Sequence, residues 1–339
     1  MPAKAQKKHR AAVRPRIFVT QPVAEHALAR LRQVASVEVF PDTGKIIPRR
    51  TLIAAVRKAD ILFCLLHDKI DRAVVMTNPK LRMIAAQSIT PSNIDVATAT
   101  ARRIPVTVTA PITTEATADL NFGLMLAVAR RMMEGDRMTR GGKFPGGQSA
   151  HLMGAPVWGK TLGLIGGGGL IGKAVARRAR GFSMRVLYWT PRRKSEDEER
   201  EAGLTYAPFD QLLRESDFVS IHSPLTKETR HQIGARELGL MKKTAFVINT
   251  ARGPIIDEAA LVHALAKKQI AGAGLDVFEH EPKVDTALKK MSNVVLTPHL
   301  GSATPKVRED MANIVVDNIL AFLQGEKLPN CVNPQIFAL

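Results

Sequence analysis

Short apolar runs alternate with segments of helical spacing along nearly the whole chain. Strand-like runs fall at 17–20, 37–40, 61–65, 83–86 and 106–108. Helical spacing covers 23–31, and Pro48 opens a helix through Val56 from a favoured first-turn position. Strands alternating with helices predict a parallel sheet covered on both faces. A long helix is predicted over 114–133, with Leu120, Leu124, Ala127 and Val128 on one stripe, followed by a Gly/Pro-rich loop at 141–147. A second series of six strands then begins, at 161–165, 185–189, 218–221, 245–249, 272–277 and 294–297. Six such strands with intervening helices fit a doubly wound dinucleotide fold. A final helix is predicted over 305–323, with Met311, Ile314, Val315 and Phe322 at helical spacing and Gly325 placed to stop it. The fold class is α/β, with two doubly wound parallel-sheet domains.

Composition narrows the class. At about 150 residues per domain, the 339 residues make roughly two domains. Hydrophobic residues at 45 % and charged residues at 24 % argue against an intrinsically disordered chain. The longest strongly apolar stretch, 61–66, is far short of the about 20 residues of a bilayer span, so no membrane protein is expected. Cys64 and Cys331 stand far apart, which leaves neither a disulfide framework nor a clustered cysteine metal site. No metal is expected, and the location expected is cytoplasmic.

Charge is the unusual feature. Lysine and arginine exceed aspartate and glutamate by 18. Six of these cations, Lys4, Lys7, Lys8, Arg10, Arg14 and Arg16, lie in an acid-free tail, 1–16. The tail has no apolar core of the kind a secretory signal needs. It reads as a solvated, disordered extension, with nucleic-acid binding the lesser alternative. The +12 left on the rest attracts anionic ligands, among them a phosphorylated cofactor or a carboxylate.

Between the strand ending near 165 and the helix beginning near 171 stands Gly166-Gly167-Gly168-Gly169-Leu170-Ile171-Gly172. Gly167, Gly169 and Gly172 satisfy G-x-G-x-x-G. Glycine serves there because the turn is tight, a pyrophosphate approaches the backbone and the helix packs close to the strand. The N–H groups of the helix start, at Leu170 and Ile171, face the phosphates. An acid about 20 residues on would hold the ribose hydroxyls of NAD. Counting from Gly169 instead reaches Trp189-Thr190-Pro191-Arg192-Arg193-Lys194, with no acid. A hydroxyl and three cations suit a 2′-phosphate, so NADP(H) is expected through Thr190, Arg192 and Arg193, with NAD(H) as the alternative.

Further motifs carry a resemblance. They are Thr113-Thr114-Glu115-Ala116-Thr117-Ala118-Asp119-Leu120, Gly159-Lys160-Thr161-Leu162-Gly163, His222-Ser223-Pro224-Leu225-Thr226, Asn249-Thr250-Ala251-Arg252-Gly253, Leu275-Asp276-Val277-Phe278-Glu279-His280-Glu281-Pro282 and Thr297-Pro298-His299-Leu300-Gly301. In this order and spacing the chain resembles the D-isomer-specific 2-hydroxyacid dehydrogenases, most of all their glyoxylate/hydroxypyruvate reductase branch. The resemblance implies a flavodoxin-like substrate domain, 17–109 with 302–339, and a Rossmann cofactor domain, 110–301, with two helices crossing between them as hinges. It implies Arg252, Glu281 and His299 as the catalytic set. Residue chemistry agrees. A guanidinium fork can hold the planar oxygens of a 2-oxo acid. Histidine is the natural acid for the carbonyl oxygen, and a paired carboxylate favours its acid form. The resemblance further implies cofactor contacts at Thr117, His222, Pro224, Thr250, Ala251 and Asp276, and a homodimer.

The chain also departs from the family pattern. The glycine loop is one residue longer than usual, and Leu170 stands where an arginine is common. The family's substrate loop carries Gly-x-Gly, whose backbone N–H groups hold the substrate carboxylate. Here it reads Ser88-Ile89-Thr90-Pro91. Ser88, Ile89 and Thr90, with Arg252 and His299, are the expected substrate contacts, and Ser88 or Thr90 is expected to add a hydroxyl donor to the carboxylate. The expected reaction is hydride transfer from NADPH to a small 2-oxo acid, giving the D-2-hydroxy acid. The alternatives are an NAD-linked oxidation of phosphoglycerate or phosphite type and a non-enzymatic, dinucleotide-sensing corepressor.

Overall fold

The computed structural model describes residues 14–338. The expectation of a disordered basic tail falls largely on 1–13, which lie outside the described residues. The chain forms two compact units, Met1–Ile112 with Thr304–Leu339, and Thr113–Ala303.

The first unit contains β1 (Arg16–Val19), β2 (Ser36–Val39), β3 (Ile61–Leu65), β4 (Met83–Gln87) and β5 (Val106–Thr107). They pair in the order β2-β1-β3-β4-β5, all parallel. This is the flavodoxin-like order of a doubly wound sheet. Successive side chains point to opposite faces, and both faces are apolar. Ile17, Val19, Phe63 and Met83 pack with Ala312, Val315, Val316 and Ile319 of the helix Pro305–Gln324. Phe18, Leu62, Cys64 and Ile84 pack with Leu52, Val56, Val74 and Val75. Each fully buried aliphatic side chain contributes about 1.5–3 kcal/mol. The free edge of β5 is covered by the chain's end. The Val106 N–H donates to Asn333 Oδ1 at 2.8 Å, and the Val332 N–H donates to the Val106 carbonyl at 2.9 Å.

The second unit contains β6 (Thr161–Ile165), β7 (Arg185–Trp189), β8 (Thr205–Tyr206), β9 (Phe218–Ile221), β10 (Phe246–Asn249), β11 (Gly272–Leu275) and β12 (Val294–Leu296). Their order is β12-β11-β10-β9-β6-β7-β8, again parallel throughout. The sheet therefore has seven strands rather than the expected six. The addition, β8, is two residues paired to Leu187 and Tyr188 at the edge, too short for an apolar run to announce it. The strand order reverses at β6, with β7 on one side and β9 on the other. The carboxyl ends there form the crevice in which such sheets take ligands.

Two helix expectations need correction. The predicted helix 114–133 ends at Ala129, and a second helix, Met132–Arg140, follows after Arg131 turns left-handed at φ 53°. The Ala129 carbonyl accepts the Ala155 N–H at 2.8 Å, so a segment much later in the chain terminates the helix. Pro48 is the N-cap residue of Arg49–Val56, one place before the first turn. Gly325, at φ 73°, caps the last helix as its position predicts. The helix Thr114–Ala129 falls in the second unit and Pro305–Gln324 in the first.

Candidate active site

The turn after β6 is shaped by contacts that exclude side chains. Gly166 has φ 79°, and a Cβ on it would stand 2.6 Å from the Ser223 nitrogen. A Cβ on Gly167 would stand 2.6 Å from Leu164 Cβ, and one on Gly172 would stand 2.5 Å from the Gly167 carbonyl oxygen. Gly169 is the N-cap of the helix Leu170–Arg180 and offers no side-chain cap. The first N–H groups of that helix, at Leu170 and Ile171, point out of its positive end without an internal acceptor. This cradle at the switch point fits a dinucleotide pyrophosphate. Gly166 carries the left-handed turn, and Gly167, Gly169 and Gly172 occupy the positions of the motif.

The loop after β7 sorts its cations. Arg193 grips both oxygens of Glu199, at 2.8 and 2.9 Å, and lies 5.5 Å over the Tyr206 ring. Tyr188 donates its hydroxyl to Glu199 at 2.7 Å and accepts the Lys194 N–H at 2.8 Å. Arg193 and Tyr188 hold the Glu199 carboxyl down to about 2, while burial and Glu199 push the Tyr188 phenol up to about 12. Arg193 is thus tied into the loop's own scaffold. Arg192 is exposed, and Thr190 donates to the Arg192 carbonyl at 2.7 Å. Lys194 lies across the glycine turn, where a Cβ on Gly168 would meet its Cε at 2.9 Å.

Arg252, Glu281 and His299 come from three different strand ends. Asn249, closing β10, accepts the Ala251 N–H on Oδ1 and donates from Nδ2 to the Arg252 carbonyl, both at 3.0 Å. Gly253 allows the next step, since a Cβ there would stand 1.9 Å from the Phe278 carbonyl. The Arg252 backbone therefore runs against the turn that carries Glu281. Burial pushes the Arg252 guanidinium below its usual pKa, opposed by the Glu281 charge. Glu281 accepts the Phe278 N–H on Oε1 at 3.0 Å, and its Oε2 stands 3.0 Å from His299 Nδ1. His299 adopts φ 56°, a left-handed conformation that costs a β-carbon residue of order 1–3 kcal/mol. Asp276 stabilises it. Its carbonyl accepts the His299 N–H at 2.9 Å, and its carboxylate accepts from Thr297 Oγ1, the Leu300 N–H and the Gly301 N–H. Burial raises the Asp276 pKa against those bonds. Thr117 donates to the Gly301 carbonyl at 3.0 Å.

Beneath this lies a polar chain that sequence reasoning missed. Asn121 Nδ2 donates to Ser220 Oγ at 2.9 Å and to Thr250 Oγ1 at 3.1 Å, and Ser220 Oγ stands 2.9 Å from His222 Nε2. Burial pushes His222 down to about 4, so the ring is neutral near pH 7. Pro224 turns its carbonyl to the Thr229 hydroxyl at 2.6 Å. The only local signal for Asn121 was an amide set among apolar helix positions.

Residues 122–301 match the D-isomer specific 2-hydroxyacid dehydrogenase, NAD binding domain. A glyoxylate reductase of Thermococcus litoralis is 46 % identical over 328 residues, covering 96 % of this chain and 98 % of the relative. This chain belongs to the D-isomer-specific 2-hydroxyacid dehydrogenase family. Among solved structures, a Thermus thermophilus protein superposes with TM-score 0.86 at 40 % identity, covering 94 % of this chain and 99 % of that one. An NADPH-dependent glyoxylate/hydroxypyruvate reductase from Sinorhizobium meliloti, in complex with NADP and malonate, superposes with TM-score 0.79 at 31 % identity, covering 94 % and 97 %. Membership makes the protein a dehydrogenase that uses a nicotinamide dinucleotide and acts on a small organic acid.

The loop that departs from the family's Gly-x-Gly lies in the first unit, after β4. Ser88 is buried, and its hydroxyl donates to the Thr90 carbonyl at 2.8 Å. The Ser88 carbonyl accepts the Thr109 N–H at 2.8 Å, and Asn93 staples the next turn to the carbonyls of Leu65 and Asp68. In this dehydrogenase the Ser88 hydroxyl closes its own loop, so the donor expected for a carboxylate at this position is engaged internally. Ile89 and Thr90 follow with side chains where the family pattern has less bulk. No helix of the described residues is long and apolar enough to cross a membrane.

Proposed function

We propose that the protein reduces glyoxylate and hydroxypyruvate with NADPH, forming the D-isomer where the product is chiral. The observation that carries this reading is the His299–Glu281 pair at 3.0 Å in the same unit as the half-buried Arg252. Arg252 binds the substrate carboxylate and orients the adjacent carbonyl. His299, with Nδ1 toward Glu281, gives a proton from Nε2 to the carbonyl oxygen as that oxygen becomes an alkoxide. Glu281, 3.0 Å from Nδ1, orients the ring so that Nε2 faces the carbonyl oxygen. When bound, the dinucleotide supplies the hydride. Its phosphates are held by the turn at Gly167 and Gly169 and the N–H groups of Leu170 and Ile171. Thr117, His222, Pro224, Thr250, Ala251 and Asp276 are assigned to its remaining length. The names of the relatives from Thermococcus litoralis and Sinorhizobium meliloti support the substrate class.

For cofactor choice we assign the 2′-phosphate to Thr190, Arg192 and Lys194, with Arg193 supporting the loop through Glu199. NADPH is expected to exceed NADH by at least about tenfold in kcat/KM, roughly 1.4 kcal/mol. Thr190→Asp reverses that preference, because a carboxylate accepts from ribose hydroxyls and repels a phosphate. Ser88, Ile89 and Thr90 are retained as substrate contacts, and the bulk of Ile89 and Thr90 restricts acceptance. Initial rates with each dinucleotide across a panel of 2-oxo acids test the whole reading. Equal use of both dinucleotides refutes the loop assignment. Faster turnover of phenylpyruvate than glyoxylate refutes the narrow pocket, and no turnover at all leaves the corepressor alternative.

We further propose a homodimer. Met132, Met133, Phe144, Met153 and Trp158 are exposed large apolar side chains within 27 residues of sequence, a density that marks an interaction surface. A second copy of the chain is the partner assigned to them. Light scattering at micromolar concentration is expected to give twice the chain mass, and Trp158→Asp with Phe144→Asp to give the monomer.

A further inference from the structure

Glu279 stands two residues before Glu281, with its side chain only 9 % exposed. Its Oε1 lies 2.6 Å from His231 Nε2 and 3.2 Å from an Arg230 guanidinium nitrogen. Its Oε2 accepts the Glu258 N–H at 3.2 Å, while its own N–H donates to Glu258 Oε2 at 3.0 Å. Glu258 opens the helix Glu258–Ala266, so its N–H is one of the donors a helix start leaves unsatisfied. The Glu279 carboxylate thus sits at a helix's positive end, beside an arginine and a histidine. Burial alone would raise its pKa, but the bonds from His231 and the Glu258 N–H hold it below its ordinary value.

The turn from Phe278 to Glu281 is anchored before Glu279 by the Phe278 side chain in the core and after it by the Lys283 N–H on the His280 carbonyl at 2.9 Å, and Glu279 ties its middle to two other segments. Glu281 is bound within it by the Phe278 N–H, and Gly253 presses on the Phe278 carbonyl from one side. We propose that Glu279 is a positioning residue for the reaction. By clamping this turn to the Arg230–His231 segment and to the helix Glu258–Ala266, it fixes where Glu281 stands against His299. The inference rests on the catalytic reading of Glu281 and His299 given above. Glu279 acts through Glu281 and not on the substrate or the dinucleotide.

The clamp predicts a particular kinetic signature. A group that acts only through the Glu281 side chain loses its effect once that side chain is removed, which is non-additive behaviour. The test uses the full chain, with steady-state rates for glyoxylate and NADPH and a thermal melt of each variant. Glu279→Gln is expected to lower kcat about fivefold while leaving both KM values within about twofold. Glu279→Gln combined with Glu281→Ala is expected to match Glu281→Ala alone. Arg230 and His231 are largely exposed, so replacing both by alanine is safe for folding. That variant is expected to lower kcat in the same direction even where Glu279→Gln fails to fold. A rise in KM with kcat unchanged, an unchanged kcat in the Arg230/His231 variant, or additive losses in the double variant would overturn the clamp. If His299→Ala and Glu281→Gln leave kcat intact, the catalytic reading falls first, and the clamp falls with it.

Discussion

His299→Ala is expected to lower kcat for 2-oxo acid reduction by about 10²–10⁴-fold, the usual contribution of a positioned general acid. The effect is large because the ring's surroundings are already committed to it. The backbone is held left-handed by the Asp276 carbonyl, and Glu281 meets one ring nitrogen at 3.0 Å. Alanine keeps the backbone path and removes only the proton donor, so KM for the acid is expected to change far less than kcat. Glu281→Gln is expected to fall between wild type and His299→Ala, since an amide still meets the ring but brings no charge. Steady-state rates at saturating NADPH, with thermal melts to confirm folding, provide the check. A loss of less than about fivefold in His299→Ala would remove the residue from proton delivery.

Arg252→Lys is expected to lower kcat/KM about 10²-fold, near 3 kcal/mol, with most of the loss in KM. Charge is conserved, so the prediction isolates geometry. A guanidinium can meet a carboxylate with two parallel N–H donors, whereas an ammonium meets it as a point. Arg252 is also buried enough for its pKa to be depressed. Lysine at such a site loses its charge more readily than arginine. One Arg252 N–H already binds the Ala251 carbonyl at 2.7 Å, which aims the remaining donors. Wild-type kcat/KM in the lysine variant would show that a diffuse positive field suffices and that the fork has no role.

Much of the fold was legible because fully buried strands are written as unbroken apolar runs. Ile61–Leu65, Thr161–Ile165, Arg185–Trp189 and Phe218–Ile221 have the expected bounds. What escaped depends on contacts distant in sequence. Nothing near Arg131 forecasts a helix break, because the cause is the Ala155 N–H arriving at the Ala129 carbonyl. The edge strand Thr205–Tyr206 exists through its partner β7 rather than through its own two residues. In the candidate site, the family resemblance implied His299 and Glu281, and the two stand 3.0 Å apart. Composition grouped Arg192, Arg193 and Lys194 as equivalent cations, and only the fold separates them, because Glu199 returns on the following helix to claim Arg193. The Ser88 hydroxyl was legible as a donor, but its acceptor two residues away in the same loop was not.

The covering of β1, β3 and β4 by the helix Pro305–Gln324 has a consequence for how the chain is made. A ribosome delivers Ile17, Val19, Phe63 and Met83 almost a whole chain length before Val315, Val316 and Ile319, the residues that cover them. The Asn333 amide that closes the edge of β5 arrives later still. The unit Thr113–Ala303 has all its strands once Ala303 has emerged, so it can complete its sheet while the earlier unit still waits with an apolar face exposed to water. Vectorial synthesis thus makes the N-terminal sheet the last to mature and the segment most in need of protection on the nascent chain. A message truncated before codon 305 would release a polypeptide with one finished unit and one permanently sticky one.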